Sequence, residues 1–367
     1  MHAPVEYHFL EHPIEDVKLD DMLADGYFRT GNYLLKTRVL LYNQDIYNLF
    51  HIRYEMDKYD FPKSMKKLLR KNKEKFYSEI KKFKNTKEKE VLFWHHKERF
   101  VGSSTMSLEQ YLFDYDETRK FNTHEINIYD KDTDELVAYS IFDIGKNSIA
   151  SILGIFNKDY SKYSLGLYSM LLEVEFAKEN NFTYYYPGYI ADKPSPFNYK
   201  IRLGNDVDYC DWFSLTWKKL NNTDELYKMC DYYREQLGRA ENWLQQHKIP
   251  YRKTKHPYYY MKYYYPQSNC LSSIEQLLIE DFTTPNTYII VEYHAVFDKI
   301  VLSAVEPHYL EQQVNIDFKD ILVDDVWQNL LLYIYPNYYI EDEYELLEVF
   351  LQTKYKLITH KNKKNNE

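Results

Sequence analysis

The sequence predicts an α/β (α+β) protein, and two observations support this prediction. Residues 124–202 alternate short apolar segments of strand character with one long segment of helical periodicity. The chain has 367 residues, of which 44% are apolar and 18% aromatic. This composition is sufficient for packed cores in two or three domains.

The segment 124–202 has the most informative pattern. HEINIYD and LVAYSIFDIG predict two strands joined by a polar turn, and SIASILGIFN predicts a third. The next segment is predicted to be a helix whose apolar face consists of Leu167, Met170, Leu171 and Val174, with Phe176 or Ala177. TYYYPGYI is predicted to close the unit as a strand. A GNAT-like acyltransferase core needs this order of three strands, a helix and a strand, with the helix beginning at a Ser-Leu-Gly turn.

The N-terminal region predicts a helix followed by a tight turn. Residues 13–25 place Ile14, Val17 and Leu23 near helical spacing, and Gly26 follows at the position of a helix C-cap. A turn is predicted at residues 30–32, between two short strands.

Residues 63–89 form the most basic segment, with twelve Lys or Arg and three Glu residues, a net charge of +9. Its apolar residues recur at helical intervals, which predicts an amphipathic helix coated with lysine. These residues are Met65, Leu69, Phe76, Ile80 and Phe83. The pattern fits either a solvated surface helix or a phosphate-binding face.

We divide the chain into three predicted domains: residues 1–90 with the basic helix, residues 91–205 with the acyltransferase core, and residues 206–367. The last region contains no catalytic motif and is expected to be a packing or partner-binding domain of unknown role. His95 and His96 are predicted to lie on one strand and to point to opposite faces, so we interpret them as structural.

Composition and cysteine spacing argue against several classes of protein. A net charge of −9 argues against a general nucleic-acid coat, although a local basic patch remains possible. Cys210, Cys230 and Cys270 are scattered and fit neither a zinc site nor a disulfide framework. Neither a signal-peptide pattern nor a run of about 18 apolar residues is present, so we expect a cytoplasmic protein without a membrane span.

Two separated segments carry a more specific pattern. Residues 23–72 contain Gly-Tyr-Phe-Arg-Thr-Gly, an Ile-Arg pair and a basic segment ending in Arg-Lys-Asn. Residues 136–200 contain LVAYSIFD, SLGLYS and YYYPGYI, and end in Tyr-Lys. In their order and separation these motifs resemble the arginyl-tRNA–protein transferase family.

The resemblance implies transfer of an amino acid from a charged tRNA to the N-terminus of a protein that begins with Asp or Glu, which marks that protein for degradation. Arginine and leucine are both open as the transferred amino acid. Family members usually carry N-terminal cysteines that can hold a metal or an iron–sulfur cluster. Here no cysteine precedes Cys210, and Ile46 and Tyr47 lie near where a pair would fall. We therefore expect no metal and no cofactor.

Together with this resemblance, the residue chemistry suggests three groups of site residues. The candidates for catalysis are Asp143, Glu173 and Tyr189. The candidates for substrate binding are Ser164, Gly166, Tyr185, Lys200 and Arg202. The candidates for tRNA contact are Arg29, Arg53, Lys66, Lys67 and Arg70. An ordinary structural interpretation is also open for Asp143, Glu173, Gly166, Lys200 and Arg202, such as helix–sheet packing for Gly166.

Two other functions remain open from the sequence. A degenerate member of the family would bind tRNA or acidic N-termini without catalysis. A coenzyme A-dependent N-acetyltransferase is less favoured, because the loop before the predicted helix offers only Gly166 where such enzymes usually have several glycines.

Overall fold

The protein is described here from a computed structural model. The structure describes residues 5–42, 45–97, 107–114, 118–255, 275–280, 288–294, 299–309, 330–334 and 338–339. The chain forms two compact units, one of Glu6–Asn43 and Tyr47–Leu226, the other of Met1–Val5, Gln44–Ile46 and Tyr227–Glu367. The division into domains at residues 90 and 205 stays a prediction.

The secondary structure mixes helices and strands along the whole described chain. The helices are α1 (Asp16–Ala24), α2 (Lys63–Lys75), α3 (Lys87–Lys97), α4 (Leu108–Phe113), α5 (Leu165–Glu179) and α6 (Met229–Gln246). The strands up to residue 191 are β1 (Val5–Phe9), β2 (Phe28–Thr30), β3 (Tyr33–Thr37), β4 (Val39–Tyr42), β5 (Asp45–Glu55), β6 (Phe76–Lys82), β7 (Thr123–Asp130), β8 (Leu136–Ile144), β9 (Ser148–Phe156) and β10 (Tyr184–Ala191). The later strands are β11 (Asp208–Asp211), β12 (Thr216–Lys219), β13 (Arg252–Lys255), β14 (Glu275–Glu280), β15 (Tyr288–His294), β16 (Lys299–Tyr309), β17 (Leu330–Ile334) and β18 (Tyr338–Tyr339). Short 3-10 helices occupy Lys158–Tyr163, Asn198–Leu203 and Thr223–Glu225.

A nine-stranded sheet organises the first unit, in the order β12-β11-β5-β10-β9-β8-β7-β6, with β4 paired to β5. The strands β7, β8 and β9 form an antiparallel meander, and α5 then crosses over to β10, which runs parallel to β9. A parallel pair needs such a crossover connection, usually a helix. The predicted order of strand, strand, strand, helix and strand is therefore confirmed, within a mixed α/β fold.

The central strands of this sheet are covered on both faces. On one face α5 buries the predicted apolar residues Leu167, Leu171 and Val174. On the other face α3 and α4 pack on alternate residues of β8, including Tyr139 and Ile141. Strands covered on both sides become nearly continuous apolar runs, as in LVAYSIF.

The prediction of one helix over residues 63–89 was wrong beyond residue 75. The helix α2 ends at Lys75, and Phe76–Lys82 forms the edge strand β6, which pairs antiparallel with β7. Aromatic and β-branched residues at Phe76, Tyr77 and Ile80 suit an edge strand, and this pairing overrides the helical spacing. The exposed lysines of β6 protect the sheet edge from pairing with another chain.

Two smaller differences from the predictions concern helices α3 and α1. His95 and His96 lie on helix α3, not on the predicted strand. In α1 the predicted apolar residue Val17 is 50% exposed, whereas Leu19, Met22 and Leu23 form the buried face. The turn at residues 30–32 is confirmed between β2 and β3.

The second unit contains an antiparallel sheet of order β13-β14-β15-β16-β17, with β18 paired to β16. Helix α6 packs on β14, β15 and β16. Its face contributes Tyr232 and Tyr233, which contact Tyr293 of β15. The packing or partner-binding role expected for residues 206–367 stays a prediction.

Candidate active site

The parallel strands β9 and β10 separate partway along their length. They pair only where Tyr184–Tyr186 of β10 meets Ser148–Ala150 of β9. Beyond Tyr186, β10 continues beside β5 and β9 continues beside β8. The sheet therefore opens between the two strands, and we call this opening the strand wedge.

Local sequence explains why β10 leaves β9 at this point. The pairing of β10 with β5 changes register between Tyr185 and Gly188. Pro187 has no backbone N–H to donate to a neighbouring strand. Gly188 has a φ of +97°, a conformation that favours glycine. Any Cβ at position 188 would also come within 3.1 Å of the Lys200 Nζ, so the glycine makes room for that ammonium.

A buried carboxyl lies beneath the wedge, on the face covered by α5. Glu173 is fully buried; Tyr185 Oη donates a hydrogen bond of 2.7 Å to its Oε2, and Ser140 Oγ donates to its Oε1. Ser151, on β9 where the wedge begins, also hydrogen-bonds this carboxyl. Burial raises the pKa of Glu173 to about 7, although the three hydroxyls act in the opposite direction.

The predicted residue Asp143 does not join this network. On the same strand, Ser140 and Phe142 contact α5, so Asp143 points to the opposite face of the sheet. There its carboxylate forms an ion pair of 2.8 Å with Arg29, and both side chains are 1% exposed. Thr123 Oγ1 donates a hydrogen bond of 2.7 Å to the same carboxylate.

Both predicted tRNA-binding arginines outside α2 have internal partners. Besides Asp143, the Arg29 guanidinium donates hydrogen bonds to the carbonyl oxygens of Gly31 and Leu112. Arg53 lies between the rings of Tyr184 and Trp217, 4.2 Å from each centroid, and 3.4 Å from Asp208 Oδ2. We therefore leave Arg29 and Arg53 out of the proposed tRNA-binding face.

Tyr189 and Lys200 meet just after the register change in β10, on the C-terminal side of Gly188. Lys200 Nζ donates a hydrogen bond of 3.2 Å to the Tyr189 carbonyl oxygen and lies 4.8 Å from the centroid of the Tyr189 ring. Lys200 is half-buried, and loss of hydration lowers its pKa to about 8. Within the described ranges no carboxylate lies within 4.0 Å of this ammonium. The Lys200 ammonium is therefore available to bind an anionic group of a substrate.

Two residues that the sequence analysis missed complete this cluster. His51 on β5 is the direct cross-strand partner of Tyr189, and its ring lies 4.9 Å from the ring of Phe28. The rings of Phe28 and Phe197 lie 5.4 and 5.2 Å from that of Tyr189. Phe28 lies within the Gly-Tyr-Phe-Arg-Thr-Gly motif, but no site role was predicted for it. No motif marks His51, since only the pairing of β5 with β10 brings it to Tyr189.

The remaining predicted substrate-binding residues lie in different environments. Gly166 packs against the sheet, because a Cβ there would lie 3.3 Å from the Phe156 ring. Ser164 precedes α5 in a left-handed conformation and makes no side-chain cap. Tyr185 is fully buried with its hydroxyl on Glu173, and Arg202 is exposed. Among these predicted residues, Lys200 is half-buried, and its ammonium has no carboxylate partner within 4.0 Å in the described residues.

The basic side chains of α2 face solvent, as the sequence predicts. Lys66, Lys67 and Arg70 are exposed, while Met65 and Leu69 are buried beneath them. A shallow groove at this surface is lined by Phe61, Lys66, Leu69, Arg70, Lys73, Glu74 and Glu175. Exposed cations along a groove are the arrangement that binds a phosphate backbone.

The family model described as "Arginine-tRNA-protein transferase, C terminus" matches residues 47–207. This part of the chain is similar to that family. We call residues 47–207 the transferase segment. It includes α2, the Glu173 network, His51 and Lys200, whereas Phe28 and Arg29 precede it.

Curated relatives agree with this assignment. The chain is 25% identical over 202 residues to an aspartate/glutamate leucyltransferase of Campylobacter jejuni, covering 53% of this chain and 81% of the relative. A Leptospira interrogans protein of the same name is 23% identical over 208 residues, covering 54% and 76%. Arginyl-tRNA--protein transferase 1 of Saccharomyces cerevisiae is 36% identical over 88 residues, which are 24% of this chain and 17% of the yeast protein.

Similar solved structures include FemX, with a TM-score of 0.32, 11% identity and coverage of 48% of this chain and 61% of FemX. The L-PGS of Bacillus licheniformis has a TM-score of 0.29 and 13% identity, with coverage of 48% and 51%. Across the described part of the chain, no group of three or more His, Cys, Asp or Glu side chains is placed to hold a metal ion. In the same residues no helix is long and apolar enough to cross a membrane.

Proposed function

We propose that this protein is an aminoacyl-tRNA–protein transferase, which moves arginine or leucine from a charged tRNA to the N-terminal amine of proteins that begin with Asp or Glu. The observation that carries the proposal is the Lys200 ammonium beside the strand wedge, within the transferase segment and without a carboxylate partner in the described residues. A half-buried cation of this kind suits the side-chain carboxylate of an acidic N-terminal residue.

The proposed reaction needs no covalent intermediate on the enzyme. The neutral amine of the acceptor attacks the ester carbonyl carbon of the aminoacyl-tRNA, and an amide bond forms as the ester C–O bond breaks. The amine loses a proton, and the ribose hydroxyl of the tRNA leaves with one. Because an ester is already activated, holding amine and ester together supplies much of the acceleration.

The protein groups in this proposal have separate tasks. Lys200 binds the acceptor carboxylate, and Tyr189 forms one wall of the acceptor site. Glu173 acts as a positioning residue, because it is fully buried and reaches the wedge only through Tyr185 and Ser151. Asp143 and Arg29 fix β2 to β8. The order of strands and the wedge support a GNAT-like acyltransferase core as part of the proposal.

A direct transfer assay tests the proposed function. Arginine- or leucine-charged tRNA, labelled in the amino acid, is incubated with peptides that begin with Asp, Glu or Ala. We expect label on the Asp and Glu peptides and not on the Ala peptide. If neither label moves while tRNA still binds, the protein is a binding module and the transferase proposal fails. The absence of a metal or cofactor requirement and the cytoplasmic location stay predictions.

The exposed face of α2 is proposed to bind the tRNA backbone. Replacing both Lys67 and Arg70 by alanine removes two exposed cations from α2, of which Arg70 lines the groove. Each lost phosphate contact lowers the slope of log K against log salt by roughly 0.7 to 0.9, so we expect a decrease of about 1.5. The measurement is tRNA binding by filter retention or fluorescence anisotropy across a salt series.

The matched control replaces Lys81 and Lys82 of β6, which removes the same total charge from another exposed surface. We expect that double variant to keep the wild-type slope within about 0.5. Equal losses in the two double variants would contradict the proposed face, because they would show that only net charge matters.

A further inference from the structure

The buried imidazole of His51 lies beside the rings of Phe28 and Tyr189. The residue is 6% exposed, and its Nε2 atom is buried without a hydrogen-bond partner in the described structure. A buried polar atom left without a partner costs free energy, and native proteins avoid the arrangement. An unpaired nitrogen beside a proposed ligand site therefore points to a missing ligand atom.

The surroundings of His51 define which ligand atom would suit it. Lys200, Lys36 and Arg38 all act electrostatically on the ring. Arg38 lies 2.7 Å from a Glu6 carboxylate oxygen, and Lys36 lies 4.0 Å from the other oxygen. Lys200 differs from both, because no carboxylate of the described residues pairs with it. The potential at His51 is positive, and one cation remains to be balanced by an anion.

The protonation state of the ring decides the kind of contact. Burial, assisted by the neighbouring cations, lowers the pKa of His51 to about 3, so the imidazole is neutral near pH 7. A neutral imidazole carries one N–H donor. It can donate a hydrogen bond to an anion without adding a second positive charge to the site.

We infer that His51 donates a hydrogen bond to the side-chain carboxylate of the acceptor's N-terminal residue, while Lys200 balances the charge of that carboxylate. This inference rests on the proposed function and extends it to a residue that determines specificity. The rings of Phe28, Tyr189 and Phe197 supply apolar walls that suit the short methylene stem of Asp or Glu. A tRNA phosphate fits less well, since the exposed cations suited to the backbone lie on α2.

The experiment compares the His51→Phe variant with wild type in the transfer assay. The Asp and Asn peptides are varied at saturating charged tRNA, and charged tRNA is varied separately at a fixed concentration of the Asp peptide. Phenylalanine keeps a ring next to Phe28 but removes the donor. A hydrogen bond to a charged group contributes enough for a roughly ten- to hundredfold effect. We expect KM for the Asp peptide to rise by that factor, with kcat and KM for charged tRNA unchanged. The preference for Asp over Asn is expected to fall by the same factor.

The His124→Phe variant is the matched control, because it makes the same chemical change at a half-buried histidine on β7. We expect it to keep the wild-type KM for the Asp peptide. A second variant, His51→Gln, keeps a side-chain N–H donor and is expected to retain an intermediate preference for Asp. It also keeps the inference testable if the phenylalanine variant does not fold.

Three outcomes would overturn the inference. If His51→Phe melts like wild type and keeps its KM for the Asp peptide, His51 serves only packing. If KM rises for charged tRNA instead, the anion belongs to the tRNA. If wild type transfers to neither peptide, the proposed function fails, and calorimetry of Asp and Asn peptides with the full chain decides the inference separately. Equal binding of the two peptides, or equal binding by wild type and the His51→Phe variant, then excludes it.

Discussion

Replacing Lys200 by methionine is expected to lower kcat/KM for Asp and Glu peptides about 30- to 1,000-fold. The expectation follows from losing a charge-assisted contact to a carboxylate in a partly dehydrated site, which costs about 2 to 4 kcal/mol. Methionine keeps an apolar chain of similar length beside the Tyr189 ring. The measurement is transfer from charged tRNA with each peptide varied separately, so that KM and kcat are resolved.

The matched control is Arg202→Met, which removes a cation two residues away from an exposed position. We expect a change of less than about fivefold, because an exposed ion pair contributes up to roughly 1 kcal/mol. The sequence analysis proposed Lys200 and Arg202 together as partners of the acidic residue. A large loss in Arg202→Met with a small loss in Lys200→Met would reverse that assignment.

The pH dependence provides an independent test of Lys200. Its pKa of about 8 lies below the ordinary value of 10.5 because the ammonium is partly dehydrated. As the pH rises through about 8 the charge is lost, so KM for acidic peptides should begin to rise there in the wild-type enzyme. In Lys200→Met this rise should be absent. A wild-type KM that stays constant up to pH 10 would contradict the proposed ion pair.

The same shift has a consequence for stability. Between pH 8 and 10.5 the unfolded chain holds the Lys200 proton while the folded chain has released it, so the free energy of unfolding from this group rises with pH. Below pH 8 the folded protein bears the cost of the dehydrated charge. Lys200→Met is therefore expected to melt no lower than wild type at pH 7, which would separate a binding defect from a folding defect.

The sequence predicted those parts of the fold in which local pattern and long-range packing agree. The strands β7, β8, β9 and β10 and the helix α5 have clear apolar periodicity, and the structure confirms each. The segment 63–89 shows the opposite situation. Its apolar residues are spaced for a helix over the whole length, but pairing of β6 with β7 takes residues 76–82 into the sheet. Spacing alone does not reveal a partner strand more than 40 residues away.

The candidate site was predictable only where chemistry and local motif coincide. Lys200 and Glu173 were found because they lie in segments that resemble a known family. Asp143 was grouped with Glu173, yet alternation along β8 puts it on the opposite face, paired with Arg29. His51 was missed because its importance comes from its register with Tyr189, which lies 138 residues further along the chain. Which residues share one face of a sheet depends on register, and a single sequence does not specify it.

The Glu173→Gln variant is expected to change both activity and stability, and in a way that depends on pH. Its carboxyl is fully buried and receives hydrogen bonds from Ser140, Tyr185 and Ser151. With a pKa of about 7, the group exchanges its proton within the range where the reaction runs. Because it holds Tyr185 and Ser151 at the start of the wedge, we expect the loss of this positioning to lower kcat about a hundredfold at neutral pH.

The stability effect follows from the raised pKa. The folded protein holds the Glu173 proton up to about pH 7, whereas the unfolded chain releases it near 4.5. The contribution of this proton to stability is therefore complete below pH 4.5 and is lost as the pH rises to about 7. Integration over this interval gives a loss of roughly 3 kcal/mol. Denaturant unfolding at several pH values should show this decline in wild type, and the Glu173→Gln variant should lack it.

Two further variants show whether the effects belong to this network. Glu179→Gln makes the same change at an exposed position on the last turn of α5, and we expect wild-type kcat and wild-type pH dependence of unfolding. Tyr185→Phe removes one donor that favours the ionised carboxyl, so the Glu173 pKa should rise further and the decline in stability should extend to higher pH. A downward shift in Tyr185→Phe would contradict the arrangement of donors around the carboxyl. If kcat is unchanged in Glu173→Gln, the Glu173 network has a purely structural role. The rate would then depend only on how the enzyme positions the amine and the ester.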